Sequence, residues 1–249
     1  MTDQPVIYDI YCDASVGPEL RGCCSGALIE RREVPYGNPQ RVFITLTQPN
    51  GTNNSGEAAA VALGLKSALD LYNYSKSMGY IAHYNVFSDS LITIRGVREW
   101  LPKWVKSQDP NGNLLNSSRD VVANQDFFKY IFNTIISNPG MYIKFYHQDG
   151  HVTDNFNRMR KNFKKFNGIS PEDIGLNPTT LCLCNDFVDV ETRRLINQYL
   201  NSTEEDRPWY WKKEVLDMGL QGLTNPTIID SSASAITMYE SIVGYKVSQ

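Results

Sequence analysis

The first part of the chain carries the apolar and polar patterning that is typical of β-strands. Residues 6–13, VIYDIYCD, alternate tyrosine, isoleucine and valine with polar side chains, which predicts a half-buried strand. The apolar segments 24–34 and 41–47 are separated by the turn-forming cluster PYGNPQ. They predict two further strands, antiparallel to each other, beside the first one.

Helical patterns and short strands alternate in the middle of the chain. An Ala- and Leu-rich segment with a polar cap before it predicts a long helix over residues 53–77. The segments that follow predict a strand, two helices and a fifth strand, over residues 84–90, 91–107, 123–137 and 141–149. Three antiparallel strands followed by βαβ units predict an α/β fold, with a five-stranded mixed sheet flanked by helices.

An apolar, strand-like run occupies residues 181–185 and stops at Asn185. A helical pattern then opens with Asp186, Asp189 and Glu191. Acidic residues favour helix N-termini, where they offset the helix dipole, so one interpretation is a well-made helix start. The other is that one of these carboxylates completes a metal site.

Two segments do not fit a simple alternation of strands and helices. Residues 152–182 are too long for a plain connection, so we expect an insertion that is either a helical surface element or part of a substrate-binding site. Residues 201–249 are aromatic and basic at first and weakly amphipathic later. For this extension, packing on the core, nucleic-acid contact and a dimer interface all stay open.

Composition narrows the classes of protein. No apolar run reaches the roughly 18–20 residues that a membrane span needs. The net charge of −3 argues against a broadly basic nucleic-acid-binding surface, although a local basic patch stays compatible with it. The acidic start MTDQPVIYDIY passes directly into a strand pattern, and the five cysteines lack disulfide-framework spacing. We therefore expect a cytoplasmic protein without a signal peptide or membrane association.

Two aspartates stand where predicted strands end. Asp13 ends the first strand beside the small residues Ala14 and Ser15, and Asp89 ends the fourth strand in FSDS. They form a metal site if the two strands are neighbours. Asp9 shares a face with Asp13 by alternation but lies deeper in the strand, where a structural role is expected.

Glu57 has two interpretations. With Asn54 as the N-cap, Glu57 falls at the N3 position, and a capping box explains it without chemistry. On the same helix, however, Glu57 shares a face with small or apolar residues that would let the helix approach the sheet, namely Ala60, Val61, Gly64 and Ala68.

Taken in order, YCDAS, TNNSGEAAAVALGL, FSDS, YHQDGH and NDFVD resemble the motifs of type 1 ribonuclease H. The resemblance covers about residues 5–200, with residues 152–182 as an insertion and residues 201–249 outside it. It implies a ribonuclease H-like catalytic domain over residues 1–200. It also implies hydrolysis of the RNA strand of RNA–DNA hybrids with two Mg²⁺ or Mn²⁺ ions per site.

The resemblance also implies roles for individual residues. Asp13, Glu57, Asp89 and Asp189 would be the catalytic metal ligands, and His151 would assist proton transfer or product release. Asp154 is closer to the histidine but lacks a suitable Asn four residues before it, so Asp189 is preferred. His147 falls within a strand pattern, where a structural role is expected.

Nucleic-acid contacts are implied for Ser15, Asn53, Asn54, Trp100 and Trp104. The asparagines have a turn or cap role as the alternative, and the tryptophans have core packing. Few basic residues follow the predicted helix 91–107. We therefore hypothesise that cations of the insertion grip the phosphates of the hybrid, namely Arg158, Arg160, Lys161, Lys164 and Lys165.

Three further alternatives stay open from the sequence. The chain could be a resolvase- or integrase-type nuclease on the same fold, or a non-catalytic module that binds nucleic acid or a partner. A zinc site could be formed by Cys23, Cys24, Cys182 and Cys184, but the usual Cys-x-x-Cys spacing is absent and buried thiols are the more common outcome. Oligomeric state is not predicted.

Overall fold

The computed structural model describes residues 5–17, 22–32, 40–151, 155–207 and 231–243. Within these ranges, five strands are formed, β1 Val6–Val16, β2 Cys23–Arg32, β3 Gln40–Gln48, β4 Ala82–Ser88 and β5 Tyr142–His147. The α-helices are α1 Asn53–Met78, α2 Leu91–Arg95, α3 Leu101–Lys106, α4 Gln125–Ser137, α5 Phe156–Asn167, α6 Pro178–Asn201 and α7 Ala233–Val243.

The five strands form one mixed sheet in the order β3-β2-β1-β4-β5. β2 is antiparallel to β1 and to β3, whereas β4 is parallel to β1 and to β5. This confirms the predicted α/β fold with a five-stranded mixed sheet flanked by helices. Because Cys12 on β1 pairs with Ser88 on β4, Asp13 and Asp89 emerge side by side at one edge of the sheet.

Helix α1 packs closely on one face of the sheet, as its small residues predict. Ala60, Val61 and Ala68 are fully buried, and Gly64 lies over β1. A Cβ atom on Gly64 would lie 2.6 Å from Cys12 Sγ, which is closer than real Cβ contacts allow. The absence of a side chain here lets α1 carry Glu57 over the end of the sheet.

The opposite face is covered by α5 and α6. The apolar cluster between these helices and the sheet is built from large side chains of four strands and both helices, including Tyr11, Leu28, Phe87, Tyr146, Met159, Phe163, Leu181 and Val188. The insertion therefore contributes a helix to the core, in addition to a short 3₁₀ turn at Glu172–Ile174.

The predicted start of the last helix is wrong. α6 begins at Pro178, after Asn177, whose side chain accepts a hydrogen bond from the Thr179 amide. Residues 181–185 are therefore helical and not a strand, and the first turn contains no acidic residue. Periodicity cannot separate a short apolar run in a strand from a buried helical one. Asp189 lies well inside the helix, so capping does not explain it.

Residues 91–107, predicted as one helix, contain a π-helical turn at Gly96–Trp100 between α2 and α3. Pro102, in the first turn of α3, has no amide hydrogen to donate, so it is compatible with a helix start there. In the C-terminal extension, α7 packs on the core, where the Tyr239 hydroxyl donates to the Val97 carbonyl at 2.9 Å. None of the described helices is long and apolar enough to span a membrane.

Candidate metal-dependent active site

Asp13, Glu57 and Asp89 come together at the carboxyl edge of the sheet. One oxygen atom from each lies within 4.8 Å of the other two. These residues and Asp189 line the same open cavity of about 640 Å³. The predicted neighbouring arrangement of the two strand-end aspartates is therefore present, and α1 adds the third carboxylate.

Of the two interpretations of Glu57, the structure rules out the capping box. The N-cap of α1 is Thr52, whose hydroxyl accepts from the Ser55 amide at 3.2 Å, and the Ser55 hydroxyl in turn accepts from the Thr52 amide at 2.7 Å. Asn54 is a helical residue, and Glu57 lies two positions beyond the capping box. Its buried carboxylate faces the other two acidic residues, so capping does not account for it.

Gly150 leaves the space that the Asp89 carboxylate occupies. A Cβ atom at position 150 would lie 2.2 Å from Asp89 Oδ2 and 3.1 Å from Asp89 Cγ. Asp89 is also fixed through its backbone, because its carbonyl accepts a hydrogen bond of 3.0 Å from His147 Nε2. His147 is buried and has the structural role that its strand position predicts.

The three carboxyl groups resist ionising together. Burial, followed by the charge of the neighbouring Asp89, raises the pKa of Asp13 to about 8, against the hydrogen bond of 2.7 Å that the Ala14 amide donates. Burial, followed by Asp13 and Asp89, holds the pKa of Glu57 well above its usual range. Burial also raises the pKa of Asp89.

The site fits a divalent cation with a preference for oxygen ligands. Glu57 Oε2 is buried and finds no hydrogen-bond donor among the residues that the structure describes. A bound cation would satisfy this atom and relieve the mutual repulsion of the carboxylates. Carboxylate oxygens suit Mg²⁺ or Mn²⁺ rather than zinc.

The zinc alternative finds no support in the described ranges. All five cysteines are buried free thiols, and none belongs to the acidic cluster.

Asp189 lies at the rim of the cluster and is held by an arginine. Arg193 Nη2 lies 2.7 Å from Oδ1 and 2.8 Å from Oδ2 of Asp189. The Ser15 hydroxyl lies 3.4 Å from Asp189 Oδ1 and 3.0 Å from the Thr192 hydroxyl. Asp189 therefore lines the cavity without joining the three carboxylates within 4.8 Å. The rival residue Asp154 lies outside the described residues.

Asn185, one turn before Asp189 on the same helix, is buried beside Asp89. Its side-chain oxygen accepts a short hydrogen bond from Gln148 Nε2. The sequence pattern Asn-x-x-x-Asp thus places two polar side chains of α6 on the face that borders the cavity.

His151 lines the cavity from its open side. Its side chain is 69% exposed, and its Nδ1 atom lies 3.7 Å from Asp189 Oδ2. The backbone of His151 has a φ of 51°, which is uncommon for a residue with a side chain. An exposed imidazole at the rim of a carboxylate site is suited to proton exchange with solvent.

The residues expected to contact nucleic acid lie in different places. Asn53 and Asn54 are exposed on the first turn of α1 and line the cavity. Ser15 also lines it but is buried, and its hydroxyl contacts α6. Trp100 and Trp104 lie outside this cavity and are half-buried, with ring centroids 5.8 Å apart, and Trp104 packs edge-to-face on Phe128.

The basic residues of the insertion lie on the exposed side of α5. Arg158 and Arg160 pair with Asp149 and Glu172, at 3.5 Å and 2.7 Å. Lys161, Lys164 and Lys165 are exposed as well. Met159 and Phe163 pack α5 against the sheet beneath these cations, so the cations extend into solvent from a well-packed helix.

Two residues that matter to the site were missed by the sequence reasoning. Arg193 follows Asp189 at the i, i+4 spacing of helical ion pairs, so its contact could have been predicted. Gly150 stands within the motif YHQDGH, which gives it no role of its own. Its contact with Asp89 joins two separate strand ends, and no local pattern signals it.

The chain has a ribonuclease H-like fold, defined by its strand order, strand directions and flanking helices. Several solved structures are similar to it. The solution structure of the PFV RNase H domain is 20% identical over 64% of this chain and 90% of that chain, with a TM-score of 0.44.

The crystal structure of LC9-RNase H1, a type 1 RNase H with the type 2 active-site motif, is 16% identical over 71% of this chain and 84% of that chain, with a TM-score of 0.43. The foamy viral protease-reverse transcriptase in complex with RNA/DNA hybrid is 15% identical over 66% of this chain, with a TM-score of 0.43. That match spans 19% of the viral chain. No family profile and no curated protein matches the sequence.

Proposed function

We propose that this protein is a metal-dependent endonuclease that hydrolyses the RNA strand of RNA–DNA hybrids. The observation that carries the proposal is the convergence of Asp13, Glu57 and Asp89 within 4.8 Å at the edge of this sheet. They come from β1, α1 and the end of β4, so only the tertiary fold brings them together. The ordered motifs that resemble type 1 ribonuclease H include all three residues.

Asp13, Glu57, Asp89 and Asp189 would hold two Mg²⁺ or Mn²⁺ ions. When bound, such ions position and polarise a phosphodiester and activate a water molecule. The carboxylate cluster offers the negative charge that retains them. Arg193, at the rim, partly neutralises Asp189.

The reaction is a hydrolysis. The oxygen of a water molecule bonds to phosphorus, and the bond from phosphorus to the 3′ oxygen breaks. The products carry a 5′-phosphate and a 3′-hydroxyl, so one proton leaves the water and one proton reaches the 3′ oxygen. His151, exposed and 3.7 Å from Asp189, is placed to exchange such a proton with solvent or to assist product release.

Recognition of the hybrid would depend on shape and on 2′-hydroxyl contacts rather than on base sequence. Asn53 and Asn54 are supported in this role because Thr52 and Ser55, and not the asparagines, cap the helix. Their amide groups are free of that capping role and line the cavity. The exposed cations of α5 would hold phosphates beyond the cavity.

The test is cleavage of an end-labelled RNA–DNA hybrid in Mg²⁺ or Mn²⁺, with Asp13→Asn as the inactive variant. Asp70→Asn is the matched control, because Asp70 makes an exposed ion pair with Lys66 on α1. Wild type and Asp70→Asn are expected to cut only the RNA strand and to spare single- and double-stranded DNA. Binding of the hybrid without cleavage in either metal would support a binding module instead. Preferential cutting of branched DNA would support a resolvase-type nuclease.

A further inference from the structure

A second cavity, of about 290 Å³, lies beside α2. It is enclosed by α2, the π-helical turn, the end of β5 and the last turn of α5. The polar and aromatic residues that line it are Arg95, Arg98, Glu99, His147, Lys165 and Phe166. Leu91 lines both this cavity and the one that holds the acidic cluster, so the two are neighbours.

The lining of this second cavity is cationic in a protein whose net charge is −3. Three lining side chains are positive and one is negative, which leaves a formal excess of two positive charges. The negative one, Glu99, lies 3.0 Å from Arg95 in an i, i+4 ion pair. Concentrated positive charge in a concave site attracts anions, and phosphate oxygens match the geometry of guanidinium groups.

The cationic side chains of this second cavity are held in place by contacts with neighbouring side chains. Arg98 Nη1 donates a hydrogen bond of 2.9 Å to Asn167 Oδ1. The Arg95 guanidinium lies 5.1 Å from the centroid of the Trp100 ring, and the Lys165 ammonium lies 5.1 Å from that of Phe166. Such restraints reduce the side-chain entropy that is lost when a ligand binds.

The second cavity is joined to the acidic cluster by a chain of hydrogen bonds. The Asn167 side chain accepts from the His147 amide at 3.0 Å and donates to the His147 carbonyl at 2.7 Å. The His147 ring in turn donates from Nε2 to the Asp89 carbonyl at 3.0 Å. Arg98 is therefore linked, through Asn167 and His147, to the backbone of Asp89 in the proposed active site.

We infer that this second cavity is a phosphate subsite, which holds a backbone phosphate of the nucleic acid next to the one that is cleaved. The inference deepens the proposed function, on which it rests. Two lining residues, Lys165 and Phe166, come from α5, so the insertion contributes to a pocket for one phosphate in addition to an exposed basic surface. Inorganic phosphate offers the same oxygen atoms to the cavity as a backbone phosphate does. The experiment distinguishes between these two ligands.

The test compares wild type with Arg98→Gln/Lys165→Gln. Affinity is measured by fluorescence anisotropy, with an uncleavable hybrid of 2′-O-methyl RNA and DNA, across a series of salt concentrations. Losing one phosphate contact is expected to weaken binding about tenfold at moderate salt and to lower the slope of log affinity against log salt by about 1. On a cleavable hybrid, the KM of the double variant is expected to rise by a similar factor, because the lost contact is one that holds the bound strand.

The control variant Lys66→Gln/Lys76→Gln removes the same amount of positive charge from α1, away from both cavities. It is expected to change the affinity and the salt slope less than Arg98→Gln/Lys165→Gln does. Lys165→Gln alone changes an exposed side chain, so it keeps the test valid if the double variant fails to fold. Unchanged affinity and slope in both Lys165 variants would overturn the subsite.

A second arm uses inorganic phosphate as the competitor. Phosphate is expected to displace the hybrid less effectively from the double variant than from wild type. If phosphate raises the Tm of wild type alone, while hybrid affinity is equal in both proteins, the cavity takes free phosphate and not the strand. If wild type neither binds nor cuts hybrid, the proposed function fails, and the phosphate arm still reports on the cavity.

Discussion

Arg193 places one guanidinium nitrogen between the two carboxylate oxygens of Asp189, 2.7 Å from one and 2.8 Å from the other. The two residues are one turn apart on α6, and both line the cavity that holds the acidic cluster. Among the described residues, Asp189 is the one proposed ligand whose carboxylate forms an ion pair with an arginine. Arg193 therefore competes with any metal ion for this carboxylate.

Arg193→Gln is expected to strengthen binding of Mn²⁺ to the protein. Removing the positive charge leaves Asp189 fully available and lowers electrostatic repulsion of the ion. Since the Arg193 side chain is 58% exposed, the gain is expected to be modest, about two- to tenfold in affinity. Isothermal titration calorimetry without substrate measures it.

Arg194→Gln is the matched control, because Arg194 pairs with Glu191 on the exposed side of the same helix. Equal or weaker Mn²⁺ binding by Arg193→Gln, compared with Arg194→Gln, would show that the arginine does not compete for the site.

Gly150→Ala is expected to lower cleavage activity by about tenfold or more, with little change in Tm. The new methyl group would meet Asp89 Oδ2 at 2.2 Å, so the carboxylate must rotate away from the acidic cluster. Steady-state kinetics and a thermal melt together measure the two effects.

Gly79→Ala is expected to show the reverse behaviour. Gly79 ends α1 with a φ of 74°, and a Cβ atom there meets nothing within 4 Å. The left-handed backbone costs about 1 kcal/mol of stability for alanine, while activity stays unchanged. Full activity in Gly150→Ala would contradict the importance of the Gly150–Asp89 contact.

Asp13→Asn is expected to stabilise the metal-free protein at pH 8 more than at pH 5. The pKa of Asp13 is raised to about 8 in the folded state, against about 3.9 in an unfolded chain. The folded state thus binds the proton more tightly, and the free energy of unfolding falls as pH rises between these two values. The neutral amide removes this loss.

Thermal unfolding in EDTA at the two pH values measures the difference between Asp13→Asn and wild type. Added Mg²⁺ is expected to raise the Tm of wild type more at pH 8 than at pH 5 and to raise that of Asp13→Asn less. A pH-independent difference between the two proteins would mean that Asp13 ionises normally.

Asp189→Asn is expected to abolish cleavage, whereas Asp154→Asn is expected to retain it. Asp189 lines the cavity with the three clustered carboxylates, and His151 lies 3.7 Å from it. Cleavage of a labelled hybrid in Mg²⁺ and in Mn²⁺ measures both variants. Loss of activity in Asp154→Asn alone would transfer the fourth ligand role to Asp154.

The sequence by itself determined the features that depend on neighbours along the chain. Alternation over residues 6–13 places Asp9 and Asp13 on one face, and Asp9 has its expected structural role, bound by Arg32 at 2.7 Å. The small residues around Gly64 predict the close approach of α1. Strand ends are predicted from the local sequence, so Asp13 and Asp89 are identified as candidate metal ligands without knowledge of the sheet.

The tertiary structure decided the features that depend on contacts between distant segments. Only packing shows that residues 181–185 belong to a helix, because a short apolar run satisfies either a strand or a buried helical face. The N-cap of α1 is Thr52 and not the expected Asn54, because both residue types cap helices and the local pattern does not choose between them. The contact of Gly150 with Asp89 and the cavity between α2 and α5 join residues with no shared local pattern. These two features depend on the tertiary structure, because packing decides which side chains from distant segments come into contact.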